Sequence, residues 1–250
     1  MKKILTTILF CFFLLPTMAS AESLDYTNQQ NHYSFTLPSG WVEIPKSTID
    51  DLFRQLADQT GGQFIDYAAG FQLEDAQNYF QYPYILVQEH KINTPSYSQI
   101  TQEFESDKFS EGVDKEIDKY SEFMTNATLQ DPFVDKERNI IFMNLEMDVA
   151  NVGKVKGLLA MFLGKSGITQ LNFYSVKSEY SENLSIFNQI IDSFSYEQGY
   201  EYNEQEAKKN DSPSIFEGVA EKGIIGAITG GLIALIFGLF SKSKKKKEEK

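Results

Sequence analysis

Few side chains in this sequence can do chemistry. His32 and His90 are the only imidazoles, so a transition-metal site would need carboxylates for its remaining ligands. Glu89 precedes His90, but adjacent residues on a strand point to opposite faces and do not join one coordination sphere. Gly164-Lys165-Ser166 matches the end of a phosphate-binding loop, yet six residues separate it from Gly157 where that loop has four. The flanking segments alternate as strands do, so the tripeptide reads as a hairpin turn. No Gly-x-Ser-x-Gly elbow occurs. The acid pairs Asp50-Asp51 and Glu74-Asp75 read as solvated surface, because general acid–base work needs separated carboxylates converging on a cleft. No enzymatic activity, cofactor or metal is expected from these residues. One cluster remains, the aromatic run Tyr79, Phe80, Tyr82 and Tyr84, whose residue types are enriched where proteins bind partners.

Export signals frame the rest. Lys2 and Lys3 precede an apolar stretch from Ile4 to Leu15, and Ala19-Ser20-Ala21 supplies a small-residue cleavage site. Residues 1–21 therefore read as a bacterial signal peptide, with the mature chain starting at Glu22. Cys11, the single cysteine, leaves with the leader, which excludes disulfides and thiolate chemistry. The net charge of −12 conceals an asymmetry: Ser241–Lys250 holds six lysines against two glutamates, so the domain before it is strongly acidic. Such a surface disfavours nucleic acid as a partner.

Residues 223–240 carry no charge, and Thr229 is their one polar side chain. As a helix they extend about 27 Å, close to one hydrocarbon core. The expectation is a single transmembrane helix followed by a cytoplasmic tail, 241–250, because the lysines after it mark the inner side. The N-terminal domain then faces outward from the cytoplasmic membrane. Gly226, Gly230, Ala234 and Gly238 recur every fourth residue, a small-residue face along which another helix could approach and form a homo-oligomer.

Between leader and anchor the patterns predict an α+β domain over 22–197. Strand character runs through 24–37, where Tyr33, Phe35 and Leu37 alternate with polar residues before Pro38-Ser39-Gly40 turns the chain into Trp41, a core anchor. A helix capped by Ser47 carries Ile49, Leu52, Phe53 and Leu56 and stops at Gly61-Gly62. Strands are predicted over 64–71 and 84–89. A helix from Ser96 breaks near Gly112. A meander follows over 128–134, 140–149, 154–163 and 168–175, and a helix over 179–193. The polar run 198–222 reads as a tether.

Two stretches resemble PsbP-like proteins: Tyr33-Ser-Phe-Thr-Leu-Pro-Ser-Gly-Trp41, an aromatic strand running into a Pro-x-Gly-Trp turn, and Ser185-Ile-Phe-Asn-Gln-Ile-Ile-Asp-Ser-Phe194, a closing helix that ends in Ser-Phe. The resemblance covers roughly 24–197. It implies an α/β/α sandwich with a central antiparallel sheet and a noncatalytic binding or assembly role, as among the DcrB-like envelope members of that family. The C-terminal anchor departs from those relatives. The expected function is a membrane-anchored envelope module that binds a partner protein, with a carrier of a small hydrophobic ligand or a hydrolase with an unmarked site as the alternatives.

Overall fold

The computed structural model describes residues 22–61 and 64–209, together with Gly223, Gly226, Ala227, Ile228, Gly230 and Gly231. The leader, residues 210–222 of the tether, Ala234, Gly238 and the lysine tail lie outside the described residues. Of the expected span 223–240 only six residues fall within them. Among the described residues no helix is long and apolar enough to cross a membrane.

The chain opens with a hairpin, β1 (Leu24–Asn28) and β2 (Tyr33–Leu37), where one strand was expected. Asn28 makes the turn: its Oδ1 accepts from the backbone N–H groups of Gln30 and Asn31, each at 3.0 Å, and His32 closes it at a φ of 55°. Gly40, at a φ of 85°, leads into β3 (Trp41–Glu43), and Trp41 is buried as expected. Helix α1 (Lys46–Thr60) begins behind Pro45 without a side-chain cap, so Ser47 lies inside it rather than capping it. Pro45 occupies the N-cap position, at a φ of −53° and a ψ of 130°, so the helix starts ahead of the serine. Gly61 ends α1 in the left-handed conformation.

Strand β4 (Ala69–Leu73) starts later than predicted, because Tyr67 turns its ring down onto Phe53, with ring centroids 4.4 Å apart. Strand β5 (Tyr84–His90) follows. The long helical pattern divides at Glu105–Ser106, not at Gly112. Ser96 and Gln99 form a capping box for α2 (Tyr97–Phe104), and Ser106 caps α3 (Asp107–Lys119) by accepting from Phe109 N. Two short strands, β6 (Met124–Leu129) and β7 (Phe133–Asp135), precede the long meander β8 (Ile140–Val149), β9 (Gly153–Gly164) and β10 (Gly167–Val176). The chain then forms α4 (Tyr180–Ser193), β11 (Ser195–Tyr196) and the single turn α5 (Glu204–Ala207).

The fold is mixed α+β around a large antiparallel sheet ordered β3-β4-β5-β10-β9-β8-β6, with β7 also on β8. A second sheet, β1-β2-β11, was not anticipated. Together with α4 it covers one face of the large sheet, where Ile85, Val87, Leu171 and Phe173 meet Phe35, Phe187 and Ile190. On the opposite face α1 packs over Tyr84 and Leu86, while Ile100 of α2 joins the cluster of Met143, Leu159 and Leu163. The polar run after Gln198 does not leave the domain at once. Lys165 N donates to Tyr200 O at 2.8 Å, Tyr202 donates to Pro95 O at 3.0 Å, and Ala207 is buried. Residues 198–209 are thus a strap on the domain.

Candidate functional site: a tyrosine-lined groove and the helix in it

Strand β10 is covered on both faces, yet it carries Gln170 and Asn172 at full burial. They alternate with Leu171 and Phe173, so they point to the same side as Tyr174, the face that bears α1 and α2. From β5 the same face receives Tyr84, Leu86 and Gln88, and β8 and β9 add Met147 and Met161. Polar side chains in such a place need hydrogen-bond partners. Asn172 finds them within the sheet, accepting from Gln170 Nε2 and donating to Leu86 O, while Gln170 also reaches the C-terminal segment.

The described residues between Gly223 and Gly231 are helical and seated along this strip. Gln170 Nε2 donates to Gly223 O at 2.9 Å, Tyr67 to Gly226 O at 2.5 Å, and Tyr174 to Ala227 O at 2.8 Å. Tyr84 donates to Gly230 O at 2.5 Å and Tyr82 to Gly231 O at 2.6 Å. These positions follow the i, i+3, i+4, i+7, i+8 spacing of one helix face. Eight residues of helix rise about 12 Å, and the four residues of strand from Gln170 to Tyr174 rise about 13 Å. The segment therefore keeps step with β10.

Contact this close requires glycine at four of the five positions on this face, with alanine at the fifth. A Cβ on Gly226 would lie 2.1 Å from Gln88 Oε1, and one on Gly230 would lie 2.4 Å from the Tyr174 hydroxyl. On Gly231 it would lie 2.3 Å from Met147 Cε, and on Gly223 2.5 Å from Gln170 Oε1. Ala227 and Ile228, both fully buried, add apolar area among the methionines of the sheet. Burial pushes the hydroxyls of Tyr82, Tyr84 and Tyr174 up, the last two well above the ordinary tyrosine value, so all three remain protonated donors. Gln170 Oε1 has no hydrogen-bond partner among the described residues.

The sequence-derived sites distribute around this geometry. Gly226 and Gly230 of the small-residue face lie against the sheet of their own chain. Of the aromatic run, Tyr79 alone is exposed, at 39%. Phe80 is fully buried, and Tyr82 and Tyr84 hold the C-terminal helix. As a surface presented to solvent, the run reduces to Tyr79. The glutamines of β5 and β10 were missed, because alternating polar residues on a strand ordinarily face water.

A second concavity, a cleft of about 300 Å³, is lined by His32, Glu89, His90, Lys91, Lys165 and Tyr200, among others. His32 stacks on Tyr200, with centroids 3.6 Å apart, and its Nδ1 lies 2.9 Å from Glu197 Oε2. Glu89 accepts from Tyr33 at 2.8 Å and Asn28 at 2.7 Å, on the sheet face opposite to that of the groove. Gly164-Lys165-Ser166 is the hairpin turn between β9 and β10. Among the described residues no three His, Cys, Asp or Glu side chains gather as a metal site.

No protein-family profile matches the sequence, and no curated protein matches it. Among solved structures, the chain is similar to the solution structure of cyanobacterial PsbP (CyanoP) from Synechocystis sp. PCC 6803. The identity is 12%, the TM-score 0.48, and the match covers 73% of this chain and 97% of that one.

Proposed function

We propose that the protein is a noncatalytic binding module of the bacterial envelope, exported by its leader and anchored in the cytoplasmic membrane through 223–240, with the domain outside and the lysine tail inside. Its binding site is the groove over β5 and β10, and the ligand that this groove suits is an apolar helix with a face of glycine or alanine. The observation that carries this reading is the row of neutral donors, Tyr67, Tyr82, Tyr84, Tyr174 and Gln170, all directed at main-chain carbonyls. Donors aimed at main chain recognise a backbone shape and leave side-chain identity free apart from size.

The test is photo-crosslinking in cells that carry the full chain with a photoreactive residue in place of Met147 or Tyr79. Capture of a distinct membrane protein from position 147, and not from 79, supports the groove as the partner site. If position 147 captures nothing above the parent chain, the binding role is refuted. Capture of lipid in place of protein would favour the carrier of a hydrophobic ligand.

A further inference from the structure

Glu89, near the end of β5, has its carboxylate held by three neutral donors. Asn28 Nδ2 and the Tyr33 hydroxyl reach Oε1 at 2.7 and 2.8 Å, and Asn31 Nδ2 reaches Oε2. A carboxylate has about four acceptor sites, so Oε2 keeps one to spare, and Glu89 lines the cleft of about 300 Å³. Lys91 and Lys165 line the same cleft. Among the described residues neither pairs with Glu89 or with any other carboxylate, whereas Lys46, Lys156, Lys177 and Lys208 all find one.

The walls between these charges are fixed. Thr94 Oγ1 accepts from Gly167 N at 3.1 Å and donates to Gly164 O at 2.5 Å, which ties down the turn that carries Lys165. Lys165 N donates to Tyr200 O at 2.8 Å, and the Tyr200 ring, 38% exposed, stacks on His32, whose Nδ1 meets Glu197. The cleft therefore presents a positioned anion, two cations on flexible four-carbon stems and an aromatic wall.

We propose that this cleft binds a free α-amino acid with an apolar side chain. The ammonium group of the ligand donates to Glu89 Oε2, its carboxylate accepts from Lys91 and Lys165, and its side chain lies against Tyr200. Simpler ions suit the cleft less well. A lone anion is repelled by Glu89 and a lone cation by the two lysines, while a zwitterion meets each charge with its opposite. The volume lies at the low end for small-molecule sites, which suits one amino acid better than a peptide. This site lies across the sheet from the groove and is independent of the helix-binding reading.

Isothermal titration calorimetry of the full mature chain in detergent micelles tests the assignment. L-phenylalanine or L-leucine is expected to give saturable binding. 3-Phenylpropionate lacks the ammonium group and L-phenylalanine methyl ester lacks the carboxylate, so each should bind more weakly than L-phenylalanine by about tenfold or more. Glycine should also bind more weakly, because it leaves Tyr200 uncovered. Lys91→Gln/Lys165→Gln changes two exposed side chains, so its melting should match that of the parent while its affinity for phenylalanine falls by about tenfold or more. In Glu89→Gln the negative charge is gone, and the affinities for phenylalanine and 3-phenylpropionate should converge.

No saturable heat from either amino acid overturns the site. Equal affinity for 3-phenylpropionate or for the ester in the parent chain does so too, because a single charge would then suffice. Unchanged affinity in the double lysine variant would place the ligand elsewhere, and a preference for phenylalanine that survives in Glu89→Gln would remove Glu89 from the site. Either result refutes the proposal. Glycine that binds as tightly as phenylalanine refutes the contact with Tyr200.

Discussion

Gly230→Ala separates a docked helix from a free one by the sign of its effect. In a helix free of the domain, alanine is better than glycine by about 1 kcal/mol. In the groove the added methyl meets the Tyr174 hydroxyl at 2.4 Å and its Cζ at 3.0 Å. That ring cannot step aside, because it is fully buried and stands 5.0 Å from the ring of Tyr84. Overpacking of this kind costs about 1–3 kcal/mol, and the displaced Tyr174 bond to Ala227 O costs about 1 kcal/mol more. Set against the gain in helix propensity, docking weakens by roughly 1–3 kcal/mol, a factor of about 5–150 in the docked fraction. Amide hydrogen exchange of the full chain reads this directly: amides between 226 and 231 should exchange faster by that factor, with β8–β10 unchanged. Slower exchange in the alanine variant, the outcome that helix propensity alone predicts, would show that the glycine face is not held against Tyr174.

Tyr174→Phe keeps the ring and removes one donor, so the same amides should exchange faster by a smaller factor, from about 0.5–1.5 kcal/mol; no change would mean that the hydroxyl does not bond the helix. Phe187→Ala empties a fully buried site on the other face of the sheet, 4.9 Å from the ring of Phe173. It should cost about 3–5 kcal/mol, or roughly 6–20 °C in the melting of a domain this size followed by Trp41 fluorescence; a smaller drop would place Phe187 outside the core. Glu204 ties the strap to the domain. Burial raises its pKa, but bonds from the Tyr202 hydroxyl, from Tyr97 N at 3.1 Å and from Lys208 at 3.2 Å outweigh burial and hold it below the ordinary range. A carboxyl whose pKa is lowered on folding contributes stability above its unfolded value, about 4.3, and loses it as pH falls through the folded one. Protection of 200–209 should therefore fall in acid, and Glu204→Gln should flatten that pH dependence; an unchanged acid limb in the variant would assign the loss to another group.

Much of the fold was legible because the meander is written in local terms. Ile140–Val149 alternates cleanly and was predicted with its observed ends. The turns beside it carry Asn151 and Gly153 at positive φ, residues that take that conformation readily. Where local signals compete, reading fails. The 29–32 turn has no glycine, so the first hairpin looked like one strand. Ser47 looked like a cap because the pattern after it was right, whereas the helix starts behind Pro45, two residues earlier. The groove was illegible for a different reason. Gln88, Gln170 and Asn172 read as the wet side of their strands, and only an element more than fifty residues further along the chain buries them. The trace it left in the sequence was the spacing of Gly226, Gly230 and Ala234, which announces close approach without naming what approaches.

That ambiguity has a physical root and a way out. A face of small residues lets any surface come near, whether a second helix in a bilayer or a sheet in water, so substitutions at Gly226 or Gly230 disturb both settings at once. The two differ in what lies opposite. In the proposed inserted position the partner offers packing, whereas the groove offers five donors to the carbonyls of the helix. Changes on the domain side therefore separate the settings where changes in the helix do not. Tyr67→Phe, Tyr84→Phe and Tyr174→Phe together remove donors from the groove and leave the apolar segment untouched, so they should speed amide exchange between 226 and 231 without changing the helix's own propensity. The increase should exceed that of Tyr174→Phe alone, although no residue of the segment has been changed. A triple variant whose exchange is unchanged would mean that apolar contact with Met147, Met161 and Leu86 holds the helix, and that the hydroxyls only tolerate it.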